Sequence, residues 1–225
     1  MSIISLRNAF IYQSGKIILS DVNFDILKGE FVYLIGRTGS GKTSLLKTLY
    51  ADIWLEKGIG WIAGYNLHEL RRKEIPFLRR KIGIVFQDFQ LLPDRNIQKN
   101  LRFYLKAMGW KDDDDMNSRI DEVLNLVGLT EVLEKMPHQL SGGEQQRIGI
   151  ARAFLNHPEI IIADEPTGNL DPSMSMEILR LFTEINQKSG TAILVATHNF
   201  DLIEKFPNRT LYCDNGKVND LSDNL

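Results

Sequence analysis

The run "FVYLIGRTGSGKTSLL" at residues 31–46 decides the fold. Five apolar or aromatic residues, Phe31 to Ile35, lead into Gly36-Arg37-Thr38-Gly39-Ser40-Gly41-Lys42-Thr43, and a helix-forming segment follows. Strand, glycine-rich loop of the form G-x(4)-G-K-[ST], then helix is the arrangement that cradles a nucleotide phosphate. Glycines let the backbone wrap closely around an anion. Successive N–H groups and the helix N-terminus supply donors and positive potential. In such a loop Lys42 reaches the β- and γ-phosphates and Thr43 ligates Mg²⁺, with Ser44 next along the helix.

Working outward, short β-rich apolar runs alternate with longer helical patterns, which predicts an α/β fold around a largely parallel sheet. Strands are expected at 3–8, 17–27, 31–36, 82–86, 159–164, 191–197 and 209–213, with a first helix from Lys42 to about Ala51. Between Asp88 and Pro158 no strand pattern appears. That stretch reads as helices at Ile97–Met108, Asn117–Val127, 131–135 and Ser141–Asn156, a helical insertion that interrupts the α/β core. The acidic run Asp112-Asp113-Asp114-Asp115 reads as a solvated loop that caps the next helix, because a cation site wants ligands around a centre rather than four in a row.

Composition excludes several classes. Of 225 residues, 43% are hydrophobic and 25% charged, with 27 Lys+Arg against 29 Asp+Glu for a net charge of −2. That balance argues against a broad nucleic-acid surface, and no nucleic-acid partner is expected. Cys213 is the only cysteine, so no intrachain disulfide is possible, and a reducing compartment fits. The N-terminus shows no basic segment followed by an apolar one, and the longest apolar runs have strand length, far short of a membrane span. These features predict a cytosolic protein whose membrane role, if any, comes through a partner.

An NTPase also needs a second magnesium contact and a group that activates water. "IIIADE" at 160–165 supplies both at a strand end: Asp164 for the magnesium shell, Glu165 to polarise the attacking water. A second glycine-rich helix start, "LSGGEQQR" at 140–147, is harder to place. Ser141 and Glu144 have the form of a capping box, yet Gly142 and Gly143 weaken the helix that the cap strengthens. Losing both side chains lets an anion approach exposed N–H groups. The chain thus offers two phosphate-binding helix starts but one phosphate-loop lysine and one Asp-Glu pair.

Those motifs, in this order, resemble the ATP-binding cassette (ABC) ATPases, and "LSGGEQQR" looks like that family's signature. The resemblance covers essentially the whole chain and implies a P-loop NTPase (RecA-like) core with an N-terminal antiparallel β region and an inserted α-helical subdomain. A single domain over 1–225 is implied, with the nucleotide-binding core at 1–87 and 158–225 and the helical subdomain at 88–157. It also implies ATP and Mg²⁺ as cofactors and a head-to-tail homodimer when ATP is bound. Ser141, Gly142, Gly143 and Glu144 then serve the ATP held by the partner's phosphate loop. By the same resemblance Tyr12, with Phe10 as a rival, stacks on adenine. Gln87 in "VFQDFQLL" senses magnesium, Asp171 closes the "GNLD" segment, and His198 contacts the γ-phosphate. Asp171-Pro172 reads equally as an N-cap followed by proline at the first helical position. His68, His138 and His157 match no motif.

"DEPTGNLD" and "LSGGEQQRIGIARA" are similar to the bacterial subgroup of cell-division, lipoprotein-release and macrolide-export ATPases. "VFQDFQLLPDRNIQKNL" at 85–101 favours the cell-division members. "GRTGSGKTSLL" departs from the family habit of Ser or Ala in the variable loop positions and Ser-Thr after the lysine, which leaves the ATP chemistry intact. The resemblance implies an integral membrane, permease-like partner at the inner face of the cell membrane. The alternative is the energy subunit of a lipoprotein-release or export transporter.

Overall fold

The computed structural model describes residues 1–221, so the last four residues of the 158–225 segment lie outside it. In chain order the elements are β1 (Ser2–Gln13), β2 (Lys16–Leu27), β3 (Phe31–Ile35), α1 (Lys42–Leu49), β4 (Lys57–Ile62), β5 (Tyr65–Asn66), α2 (Ile75–Arg79), β6 (Ile82–Val85), α3 (Ile97–Met108) and α4 (Asp113–Leu126). There follow α5 (Gly142–Phe154), β7 (Ile160–Asp164), α6 (Pro172–Ser189), β8 (Ala192–Thr197), α7 (Phe200–Lys205), β9 (Arg209–Asp214) and β10 (Lys217–Asp220).

Two sheets organise them. The larger runs β10-β9-β3-β8-β7-β6, parallel except for the antiparallel edge β10. All residues of β3 and β8 are buried, as expected of central parallel strands covered on both faces. Along β3 the faces alternate. Val32 and Leu34 join the core shared with α1 and the smaller sheet, while Phe31, Tyr33 and Ile35 join the core shared with α3, α4, α5 and α6. The smaller sheet is antiparallel, in the order β2-β1-β4-β5, so the expected antiparallel N-terminal region is present.

The strand expected at 3–8 runs on to Gln13. A register shift between Leu6 and Ala9, with Asn8 at φ 47°, resets the inward alternation, so a period-2 reading stops there although the strand does not. β4 escapes a propensity reading because Gly58 and Gly60 interrupt it. Gly58 is required, since a Cβ there would stand 2.3 Å from the Asn8 carbonyl oxygen. The short edge strands β5 and β10 and the short helices α2 and α7 were also not expected.

The expected absence of strands from Asp88 to Pro158 is observed among the described residues, but two details differ. No helix forms at 131–135. The carbonyls of Leu133 and Lys135 instead accept from Gln98 and Ile97, the free donors of the first turn of α3. Met136 ahead of Pro137 is extended, and a single 3₁₀ turn covers Pro137–Gln139. The acidic run is helix rather than loop beyond its first residue. Asp112 caps α4 by accepting from the Asp114 and Asp115 N–H groups, and Asp113, Asp114 and Asp115 form its first turn, where the helix dipole favours negative charge.

Candidate active site

Four carboxyl ends of parallel strands converge, the usual place for a ligand in an open α/β sheet. β3 delivers the glycine loop, β6 delivers Gln87, β7 delivers Asp164 and Glu165, and β8 delivers His198. Gly39, Lys42, Thr43, Gln87, Glu165 and His198 line one cleft of about 470 Å³.

The loop's glycines have separate reasons. Gly36 (φ 150°) has the Cys213 carbonyl oxygen 2.3 Å from where a Cβ would sit, and Gly41 (φ 106°) has Ile18 and Leu19 at 2.9–3.1 Å. Gly41 is the N-cap of α1 and offers no side chain to its first donors, and no acidic residue follows in the first turn. The other long helices, α3, α4, α5 and α6, are capped by Asn96, Asp112, Ser141 and Asp171. The start of α1 therefore presents bare N–H groups to the cleft. Arg37, Thr38 and Gly39 are exposed, and Ser40 is packed beneath, its carbonyl accepting from the buried Cys213 thiol at 3.0 Å. Burial raises the Cys213 pKa.

Lys42 is only 6% exposed, and its ammonium donates to the Gly36 carbonyl at 2.8 Å while lying 3.4 Å from Glu165 Oε1. The other Glu165 oxygen meets His198 Nδ1 at 2.9 Å. Glu165 sits at φ 48°, a strained backbone for a side chain of its kind. It is held there by its N–H to the Ala196 carbonyl (2.9 Å) and by Gly168 N–H to its own carbonyl (3.0 Å). Ser44 Oγ donates to Gln13 Oε1 at 2.8 Å.

Asp164 accepts a hydrogen bond from Thr43, yet its Oδ1 is buried with no partner among the described residues. Burial raises the Asp164 pKa above the usual carboxylate range, and the neighbouring Glu165 charge adds to that. An orphaned buried carboxylate oxygen on a side chain bonded to the Thr43 hydroxyl, with the Gln87 amide lining the same cleft as Thr43, is a hard-oxygen donor set that fits Mg²⁺. No group of three or more His, Cys, Asp or Glu residues that could hold a metal occurs among the described residues.

Other expected residues lie elsewhere. Tyr12 is half-buried on β1, in register with Ile17, and does not line the cleft; Phe10 has the Lys57 ammonium 4.0 Å above its ring. Gln13 and Ile18, from the same hairpin, do line it, as does Lys47. None of the three was expected, since Gln13 and Ile18 enter only through the packing of the hairpin over α1. Asp171 caps α6, accepting from the Ser173 and Met174 N–H groups, and the Ser173 hydroxyl lowers its pKa.

Ser141, Gly142, Gly143 and Glu144 also stand outside the cleft. The capping box is complete: Glu144 Oε2 accepts from the Ser141 N–H and hydroxyl at 2.8 Å, and Ser141 Oγ accepts from the Glu144 N–H at 3.3 Å. These bonds lower the Glu144 pKa. The two glycines differ. A Cβ on Gly143 would stand 2.0 Å from Met174 Cε, the flexible end of a half-buried side chain, so a side chain there requires Met174 to shift. A Cβ on Gly142 would find only ordinary contacts, Leu170 at 3.5 Å and Phe89 at 3.8 Å. Nothing inside the chain demands glycine at 142.

The ABC transporter family model matches residues 19–168. The chain is 42% identical over 219 residues to the cell division ATP-binding protein FtsE of Streptococcus pneumoniae, covering 97% of this chain and 94% of that one. It is equally 42% identical, over 207 residues, to FtsE of Escherichia coli, covering 92% of each. Among solved structures, a dimeric ATP-binding cassette in a post-hydrolysis state bound to ADP and Pi superposes with a TM-score of 0.83 at 33% identity, covering 96% of both chains.

Proposed function

The chain belongs to the ABC transporter ATP-binding family and is an ATP hydrolase, and from that premise we propose that it works as the FtsE-like subunit of a membrane-bound cell-division complex. Two copies close head to tail over two ATP molecules, and the closure drives a conformational change in an FtsX-like permease partner that controls cell-wall hydrolysis. The chain sits at the inner face of the membrane through that partner; among the described residues no helix is long and apolar enough to cross a membrane.

The observation that carries the dimeric reading is Gly142: a glycine with room for a side chain, at the start of a helix that does not line the chain's own phosphate cleft. In the assembled site, Lys42 leaves the Gly36 carbonyl for the β- and γ-phosphates, and the N–H groups from Gly36 to Ser44 surround them. Thr43, Gln87 and Asp164 hold Mg²⁺, which supplies charge neutralisation at the phosphates. Glu165, released from Lys42, accepts the proton of the attacking water, with His198 fixing its second oxygen and reaching the γ-phosphate. Ser141, Gly142, Gly143 and Glu144, with Asp171, complete the site of the other copy, and Tyr12 faces the base. Helices α3, α4 and α5, within 88–157, form the subdomain that transmits closure.

A mixing experiment tests the shared site. Ser141→Arg protein and Lys42→Ala protein each lack both complete sites, but a head-to-tail heterodimer of the two holds one intact site. ATP-dependent dimerisation in the mixture, absent from either variant alone, is the expected result, and none in the mixture overturns the reading. Co-purification of the native membrane complex tests the partner: a lipoprotein-binding or efflux permease in place of an FtsX-like protein overturns the cell-division assignment.

A further inference from the structure

We infer that Asn169 is a positioning residue for Gln87, fixing the Gln87 amide so that Oε1 rather than Nε2 is presented to the magnesium position. The inference rests on the reading of Gln87 as a magnesium-side residue and adds a residue that the motif comparison had passed over, since "GNLD" drew attention only to Asp171.

The two residues, 82 positions apart, are joined by two hydrogen bonds: Asn169 Nδ2 donates to the Gln87 backbone carbonyl at 3.0 Å, and Gln87 Nε2 donates to Asn169 Oδ1 at 3.3 Å. Their polarity follows from what each group is able to do. A backbone carbonyl only accepts, so the end of the Asn169 amide that meets it is the NH₂. The other end is then the oxygen, which also only accepts, so Gln87 must offer its own NH₂. Among the described residues Gln87 Oε1 is left without a protein donor, the one amide atom able to ligate a hard cation. Without Asn169, the Gln87 amide is free to turn over and place an NH₂ group toward a divalent cation, which is repulsive.

The mounting of Asn169 supports the role. Gly168 gives its N–H to the Glu165 carbonyl at 3.0 Å, Leu170 gives its N–H to Thr167 at 3.1 Å, and Asp171 caps α6. The segment is pinned on both sides of Asn169. Gly168 is itself needed for the contact, because a Cβ there would stand 2.8 Å from Gln87 Nε2. A fixed asparagine thus meets a glutamine whose approach has been cleared by a glycine.

The test reads metal demand rather than turnover. Binding of the non-hydrolysable analogue AMP-PNP to the full-length protein is measured in EDTA and across a Mg²⁺ series for the parent, Asn169→Ala, Gln87→Ala and the double variant. Asn169→Ala is expected to raise the Mg²⁺ concentration at half-maximal enhancement by about five-fold, the scale of one lost side-chain hydrogen bond, and to leave binding in EDTA unchanged. In the Gln87→Ala background the same substitution is expected to add nothing. Asn169→Ser, too short to bridge both groups, serves as a second variant, with melting temperature as the folding control. An effect that persists without Gln87, or one equal in EDTA, overturns the inference, as does no effect. If Gln87→Ala itself leaves the Mg²⁺ demand unchanged, the magnesium role of Gln87 fails and this inference fails with it. If Gln87→Ala raises the demand and Asn169→Ala does not, only the role of Asn169 fails.

Discussion

Replacing Gly142 by alanine separates what the fold requires from what the reaction requires. Gly142 is the first residue of α5, its φ is not positive, and an added Cβ would meet Leu170 and Phe89 at 3.5 and 3.8 Å, ordinary van der Waals distances. Alanine in a helix is favoured over glycine by about 0.5–1 kcal/mol. In a domain of 150–250 residues each kcal/mol is worth roughly 2–4 °C, so the melting temperature should rise by about 1–4 °C, toward the lower end at a helix terminus. Function should move the other way. A methyl group where a phosphate oxygen approaches the N–H groups displaces a charge-assisted hydrogen bond, worth about 1.5–3 kcal/mol, so ATP-driven dimerisation should weaken by roughly ten- to a hundred-fold per site. Thermal melting and light scattering with ATP, in a Glu165→Gln background that prevents turnover, read the two effects separately. Gly143→Ala is the control: its Cβ would sit 2.0 Å from Met174 Cε, so Met174 must shift its flexible end, and the rise in melting temperature should be smaller than for Gly142→Ala. A Gly142→Ala protein that dimerises like its parent would refute the phosphate role, and one that is destabilised would refute the packing account.

Other outcomes follow from the same geometry. Glu165→Gln keeps one oxygen toward Lys42 but loses the base, so hydrolysis should fall by about 10²–10⁴-fold while AMP-PNP affinity is retained; normal turnover would remove Glu165 from that role. Asp164 has a raised pKa from burial, so the folded, nucleotide-free protein favours its neutral form and loses stability as pH rises through the folded value. Asp164→Asn should therefore melt higher than the parent at neutral pH, with the gap closing as pH falls below the ordinary aspartate range, and Mg²⁺-dependent nucleotide binding should be lost. Parallel melting curves across pH would contradict this. Gln146 on α5 is fully buried with neither amide atom partnered among the described residues, so Gln146→Met should stabilise the fold by about 1–3 kcal/mol in denaturant titrations.

Much of the fold was legible because central parallel strands are buried on both faces and read as continuous apolar runs. β3, β7 and β8 stand out for that reason. Elements whose stability comes from elsewhere in the chain were not legible. β4 depends on Gly58, which makes room for the bulge in β1, and the far half of β1 is hidden by that same bulge, which inverts the alternation. The segment 131–135 has helix-forming residues, yet two of its carbonyls are drawn to the first turn of α3 and its end is held extended by Pro137. Local propensity gave way to a cap that no local pattern encodes.

The site divides along the same line. Lys42, Thr43, Asp164, Glu165, Gln87 and His198 were legible because each follows a strand end at a motif position, and the sheet then brings them to one edge. Gln13, Ile18 and Asn169 were not, because each enters by a tertiary contact: a hairpin laid over α1, or an amide facing an amide 82 positions away. The glycine pair shows how the two sources correct one another. Sequence alone weighs Gly142 and Gly143 equally, as two residues that weaken a capped helix. The structure sets Gly143 against the flexible end of Met174 and leaves Gly142 with space it does not use. A helix-weakening glycine with no internal cause, at a capped N-terminus outside the chain's own cleft, calls for an external one, and an anion held by a second copy meets that requirement.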